Sequence, residues 1–86
     1  MKITLEISMY PLREDYEEQV LSFIDLLKQN NKLHIQVNAM STQVTGDFDI
    51  IFKQVQNSIK SVYEKGLKAS FVVKVLHGEL DLDFRL

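Results

Sequence analysis

The stretch Asn38-Ala39-Met40-Ser41-Thr42-Gln43-Val44-Thr45-Gly46-Asp47 gathers hydroxyls, an amide, a glycine and a carboxylate into ten residues. Hydroxyl and amide groups both donate and accept hydrogen bonds, so this composition suits a small polar ligand with a mixed donor and acceptor edge. Covalent chemistry has weaker support. Ser8, Ser41 and Thr42 have no histidine at a spacing that would activate a nucleophile. His34 and His77 lie far apart, with no cysteine or carboxylate pair at metal-ligand spacing, and read as exposed strand histidines. Glu6, Asp47 and Asp49 are carboxylates that acid–base work would need, yet helix capping and solvation explain Asp47 and Asp49 more simply. No catalytic residue, metal site or cofactor is therefore expected.

The elements that must position this stretch follow from hydrophobic period. Ile3, Leu5, Ile7 and Met9 alternate with polar residues as a half-buried strand that Pro11 ends, because proline has no N–H to give to a ladder. From Tyr16 the spacing becomes helical: Tyr16, Val20, Phe23, Ile24 and Leu27 share a face over roughly four turns. Asp15 and Glu18 approximate a capping box at its start, and Asn30 and Asn31 suit its end. Leu33, Ile35 and Val37 mark a second strand, and Thr42 and Val44 a third. Ala39 and Met40 are poor residues for a two-residue hairpin, so a loop of three to five residues or a bulge at Asn38 is expected.

Gly46 permits a sharp change of backbone direction and Asp47 can cap the helix that follows. That helix carries Phe48, Ile51, Phe52, Val55, Ile59, Val62 and Tyr63 on its buried stripe and stops at Gly66. Ala69 to Leu76 forms a last strand, apolar on both faces, whose outer side needs a cover from another element or another subunit. The order β-α-β-β-α-β predicts an α+β, ferredoxin-like sandwich: a four-stranded antiparallel sheet with two helices on one face. The tail 79–86 alternates again and reads as an extra edge strand, an oligomer arm or a frayed end.

With 86 residues and no cysteine, the chain is expected to be one domain of residues 1–86 whose thin core invites self-association. A net charge of −2 argues against nucleic acid as a partner. The absence of any run of about 20 apolar residues argues against a membrane span, and a cytoplasmic protein is expected. The open sheet face carries no aromatic residue on its middle strands for base stacking, which further disfavours RNA. Acylphosphatases share this element order and use an arginine in a glycine-rich first loop with an asparagine on a later strand. Arg13 and Asn38 match superficially, but Tyr10-Pro11-Leu12 is not a phosphate-cradling loop.

Tyr10-Pro11-Leu12, Met40-Ser41-Thr42 and Gly46-Asp47, followed by Phe52 at helical spacing, stand in an order that resembles the small ferredoxin-like thiamine-binding proteins. That family includes tandem-domain binders of thiamine and of its hydroxymethylpyrimidine moiety, and the resemblance spans roughly Ile3 to Gly78. It implies a binding protein without catalysis, assembled as a homodimer or homotetramer. The ligand would lie near Ser41, Thr42, Gly46 and Asp47, with Tyr10 and Asn38 adding contacts. This chain has one unit where tandem members have two, so a composite site here would need a second subunit.

Thiamine presents an aminopyrimidine, a permanently cationic thiazolium and a hydroxyl. Thr42 and Asn38 suit the pyrimidine edge; Glu6 or Asp47 could face the cation, and Tyr10 could give it an aromatic surface. Asp47 has two competing roles, cap and ligand contact. Thr42 and Ser41 have opposite strand parity, so a shared ligand requires a bulge or a site at the end of the sheet. The competing expectation is a protein-interaction or regulatory module with no small-molecule ligand, suggested by the doubly apolar last strand.

Overall fold

The structure is a computed structural model that describes residues 1–12 and 14–84. Its elements are β1 (Lys2–Pro11), α1 (Tyr16–Leu27), β2 (His34–Val37), β3 (Thr42–Asp47), α2 (Phe48–Glu64) and β4 (Ala69–His77). The strands form one antiparallel sheet in the order β2-β3-β1-β4. This is the predicted α+β ferredoxin-like sandwich. Side chains at odd positions of β1 face the helices, so Ile3, Leu5 and Ile7 meet Phe23 and Leu27 of α1 and Ile51, Val55 and Val62 of α2 in the core. Gln54 Nε2 donates to the Leu26 carbonyl at 2.7 Å and ties the end of α1 to the middle of α2.

Several local details differ from expectation. Asp15 precedes α1 but makes no side-chain cap hydrogen bond; its carboxylate accepts from Gln19 Nε2 at 2.9 Å. Phe48, Tyr16 and Tyr63, which the spacing places on buried stripes, stand exposed near the ends of their helices. Gly66 follows α2 with φ 80°, the left-handed stop that its position predicted. Gly46 has no such backbone role: it is an extended residue paired with Ile3. A Cβ there would stand 2.7 Å from Leu33 Cδ2 and 3.4 Å from Ile51 Cγ1, so Gly46 is needed for space beneath α2.

The tail is neither a fifth strand nor an extended arm over residues 79–84. It turns back across the open face at the end of the sheet near Thr4. The Thr4 hydroxyl donates to the Gly78 carbonyl at 2.8 Å and accepts from the Leu80 N–H at 3.0 Å, Leu82 is buried, and Asp83 lies 3.4 Å from His34. Arg85 and Leu86, included in the tail expectation, and Arg13, weighed as a phosphate ligand, lie outside the described residues. No helix among the described residues is long and apolar enough to cross a membrane.

Candidate ligand-binding site

A cleft of about 500 Å³ opens between the first half of α1 and the β2–β3 hairpin. This volume lies within the range of small-ligand pockets. Ile7 and Met9 of β1 form the floor, Tyr16, Val20, Phe23 and Ile24 of α1 form one wall, and Val37 to Thr42 form the other. Ile7, Phe23 and Thr42 are buried at its base, whereas Tyr16, Asn38 and Met40 are exposed at its mouth. The result is an apolar slot with its polar groups gathered on the hairpin side.

That hairpin is held by its own side chains. Asn38 Oδ1 accepts from the Met40 and Ser41 N–H groups at 2.8 and 2.9 Å, and the Asn38 N–H donates to the Ser41 carbonyl at 3.0 Å. The four-residue connection therefore needs no residue with positive φ, consistent with the expected longer loop. With Oδ1 committed to the loop, Nδ2 is the part of Asn38 that can donate to a ligand. Ser41 Oγ donates to Glu6 Oε2 at 3.0 Å and keeps its lone pairs for accepting. Thr42, paired with Ile7, points its hydroxyl side chain to the helix side of the sheet.

Asn38, Ser41 and Thr42 are thus brought together on one wall. Ser41 belongs to the loop and the cleft lies at the end of the ladder, so Ser41 lines the cleft beside Thr42 although its hydroxyl is turned to Glu6 on the open face. Glu6 does not line the cleft. It lies on the open face, where Lys74 Nζ approaches Oε1 at 3.3 Å. The hydrogen bond from Ser41 and then that from Lys74 hold its carboxyl below the usual carboxylate range. Tyr10 is exposed opposite Ser70 of β4 and is not among the residues that line the cleft, although Met9 beside it is.

Gly46 and Asp47 do not join the site within a subunit, and the ladder shows why. β3 runs straight along β1, with Thr42 opposite Ile7 and Asp47 opposite Lys2, so the two ends of β3 stand about 17 Å apart at ~3.3 Å per residue. The expected meeting of all three sequence blocks at one rim of the subunit is therefore not met. Asp47 takes the N-cap position of α2 without a side-chain cap hydrogen bond, and its Oδ1 instead accepts from the terminal amino group at 3.2 Å. That bond lowers the Asp47 pKa, with smaller help from the nearby Asp49 and Ile50 amides, whose geometry falls short of a capping bond.

Tyr16, Glu17, Val20, Leu21 and Met40 line the cleft but were not singled out as site residues from sequence. The available signal was weak: Leu21 is a large apolar residue just off the buried stripe of α1, and Tyr16 begins that stripe a full turn before Val20. Both are more than half exposed and line the cleft across from the hairpin. Among the described residues, no group of three His, Cys, Asp or Glu side chains is placed to hold a metal ion.

The fold and cleft define a small α+β domain with an open site between its first helix and its hairpin. The sequence pattern of the thiamine-binding protein family matches residues 5–78, and the chain belongs to that family. The fold is similar to that of a Thermotoga maritima protein provisionally assigned to thiamine biosynthesis or salvage. That likeness has a TM-score of 0.80 at 20% identity and covers 91% of this chain and 85% of that one. It is also similar to a Streptococcus pneumoniae protein (TM-score 0.79, 19% identity, 93% and 90% covered). A hypothetical protein of Methanocaldococcus jannascii is a third such structure (TM-score 0.76, 24% identity, 98% and 84% covered). At these identities the structural likeness concerns the fold. No curated protein matches the sequence.

Proposed function

We propose that this protein binds thiamine or a related pyrimidine, without catalysis, in the cleft between α1 and the β2–β3 hairpin. The observation that carries this reading is the meeting of Asn38, Ser41 and Thr42 with the apolar surfaces of Ile7, Met9 and Phe23 in one slot of about 500 Å³. A flat heteroaromatic ring buries its faces against such surfaces and offers its edge to the hairpin. Each neutral hydrogen bond there contributes about 0.5–1.5 kcal/mol net. Family membership supports the ligand class. Calorimetric titration of the folded protein with thiamine tests it: saturable binding that weakens in Thr42→Val and Asn38→Ala is expected. Heat that stays flat to millimolar ligand overturns the reading, and recovery of unchanged thiamine after incubation tests the absence of catalysis.

The protein works, in this reading, in the cytoplasm as a homodimer or homotetramer. β4 supports self-association: it is a nine-residue edge strand with exposed Val72, Val73, Val75 and Leu76 and no proline to interrupt pairing. A two-fold pairing of β4 with a second copy about Val73 matches the whole strand and sets Lys74 opposite Val72, avoiding like charges. The same strand is the observation that favours the second reading, an interaction module. A monomer at all concentrations would remove that support.

A further inference from the structure

We infer that the Glu17 carboxylate, with the Tyr16 ring beside it, reads ligand charge, so that the cleft prefers a pyrimidine bearing a cationic ring to the neutral pyrimidine alone. This rests on the pyrimidine reading and adds to it a residue that the sequence pattern did not point to. Glu17 is the one acidic side chain among the described residues of the cleft, and no lysine, arginine or histidine is among them. It is exposed, at the mouth, whereas the base of the slot is made by buried Ile7, Phe23 and Thr42. In this proposal the first ring of a two-ring ligand meets Asn38, Ser41 and Thr42, and its second ring lies against the first turn of α1 on the opposite wall.

The alternatives from sequence do not serve this role. Glu6 is already engaged by Ser41 and Lys74 on the other face of the sheet. Asp47 is at the far end of β3, and Tyr10 is not among the residues lining the cleft. Tyr16 is 54% exposed and lines the same mouth, so its ring face is available for cation–π contact.

The test is a paired titration of wild type, Glu17→Gln, Glu17→Lys and Thr42→Val with thiamine and with hydroxymethylpyrimidine, at mildly alkaline pH where the latter is neutral. Glu17→Gln is expected to weaken thiamine about two- to fivefold, the effect of losing one exposed charge pair. Glu17→Lys weakens it on the order of tenfold, as repulsion replaces attraction. Neither variant shifts the neutral pyrimidine, whereas Thr42→Val weakens both ligands together. Added salt reduces thiamine affinity in wild type and not in Glu17→Gln. Equal shifts for both ligands, or none for thiamine, overturn the role of Glu17 while leaving the pyrimidine site standing. Failure of wild type to bind either ligand overturns both.

Discussion

Replacing Gly46 by alanine separates a packing role from a ligand role, and the structure sets the sign of each contribution. The added Cβ would lie 2.7 Å from Leu33 Cδ2 and 3.4 Å from Ile51 Cγ1, and Leu33 and Ile51 both belong to the core. Overpacking of this kind costs about 1–3 kcal/mol. The backbone itself is not an obstacle, since Gly46 is not among the glycines with positive φ. Alanine therefore recovers about 0.4–1 kcal/mol by restricting the unfolded chain.

The net expectation is a loss of up to ~2.6 kcal/mol, centred on about 1.3 kcal/mol, which corresponds to roughly 5–10 °C in Tm for a domain of this size. Leu33→Ala removes the Cδ2 that collides. In that background Gly46→Ala should be neutral or stabilising, and urea denaturation of the four proteins gives the coupling directly. Folded Gly46→Ala should bind thiamine as wild type does, because Gly46 stands at the opposite end of β3 from Thr42. Unchanged stability with lost binding, or additive effects of the two substitutions, would refute the packing argument.

Three other perturbations probe separate parts of the molecule. Ser41→Ala removes the largest cause of the lowered Glu6 pKa, so the Glu6 carboxyl should titrate closer to its ordinary value of 4.5 in carbon-detected NMR. Because the folded-state pKa is the depressed one, the stabilisation linked to Glu6 is present above 4.5 and lost as pH falls through the folded value; Ser41→Ala should shrink that acid-side loss. Thr4→Val deletes the hydroxyl that joins the Gly78 carbonyl to the Leu80 N–H, and should cost about 1–3 kcal/mol locally while speeding hydrogen exchange at Leu80. Val73→Lys places a charge at the centre of the β4 edge and should shift light scattering toward monomer at micromolar concentration; an unchanged assembly would exclude pairing through this strand.

The elements were legible because their causes are local. Period-two alternation in Ile3 to Met9, helical spacing from Phe48 to Tyr63 and the stop at Gly66 each depend on residues within a few positions of one another. The polar wall was legible for a similar reason: Asn38, Ser41 and Thr42 belong to one hairpin, and the asparagine that closes it also presents a donor. Exposure at helix ends was not, since Tyr16 and Phe48 satisfy the helical period whether or not a sheet lies beneath them.

What the amino-acid order determined by itself, then, is the succession of strands and helices, the faces that must be buried and the chemical character of the hairpin. Tertiary structure alone decided which polar residues share a site. Five positions along a paired strand carry Asp47 about 17 Å from Thr42, while the turn from β1 into α1 brings Tyr16 and Glu17 to the hairpin more than twenty positions away. Period dictates the direction of a side chain, but ladder register and helix placement dictate its neighbours, and those follow from the packing of the whole domain.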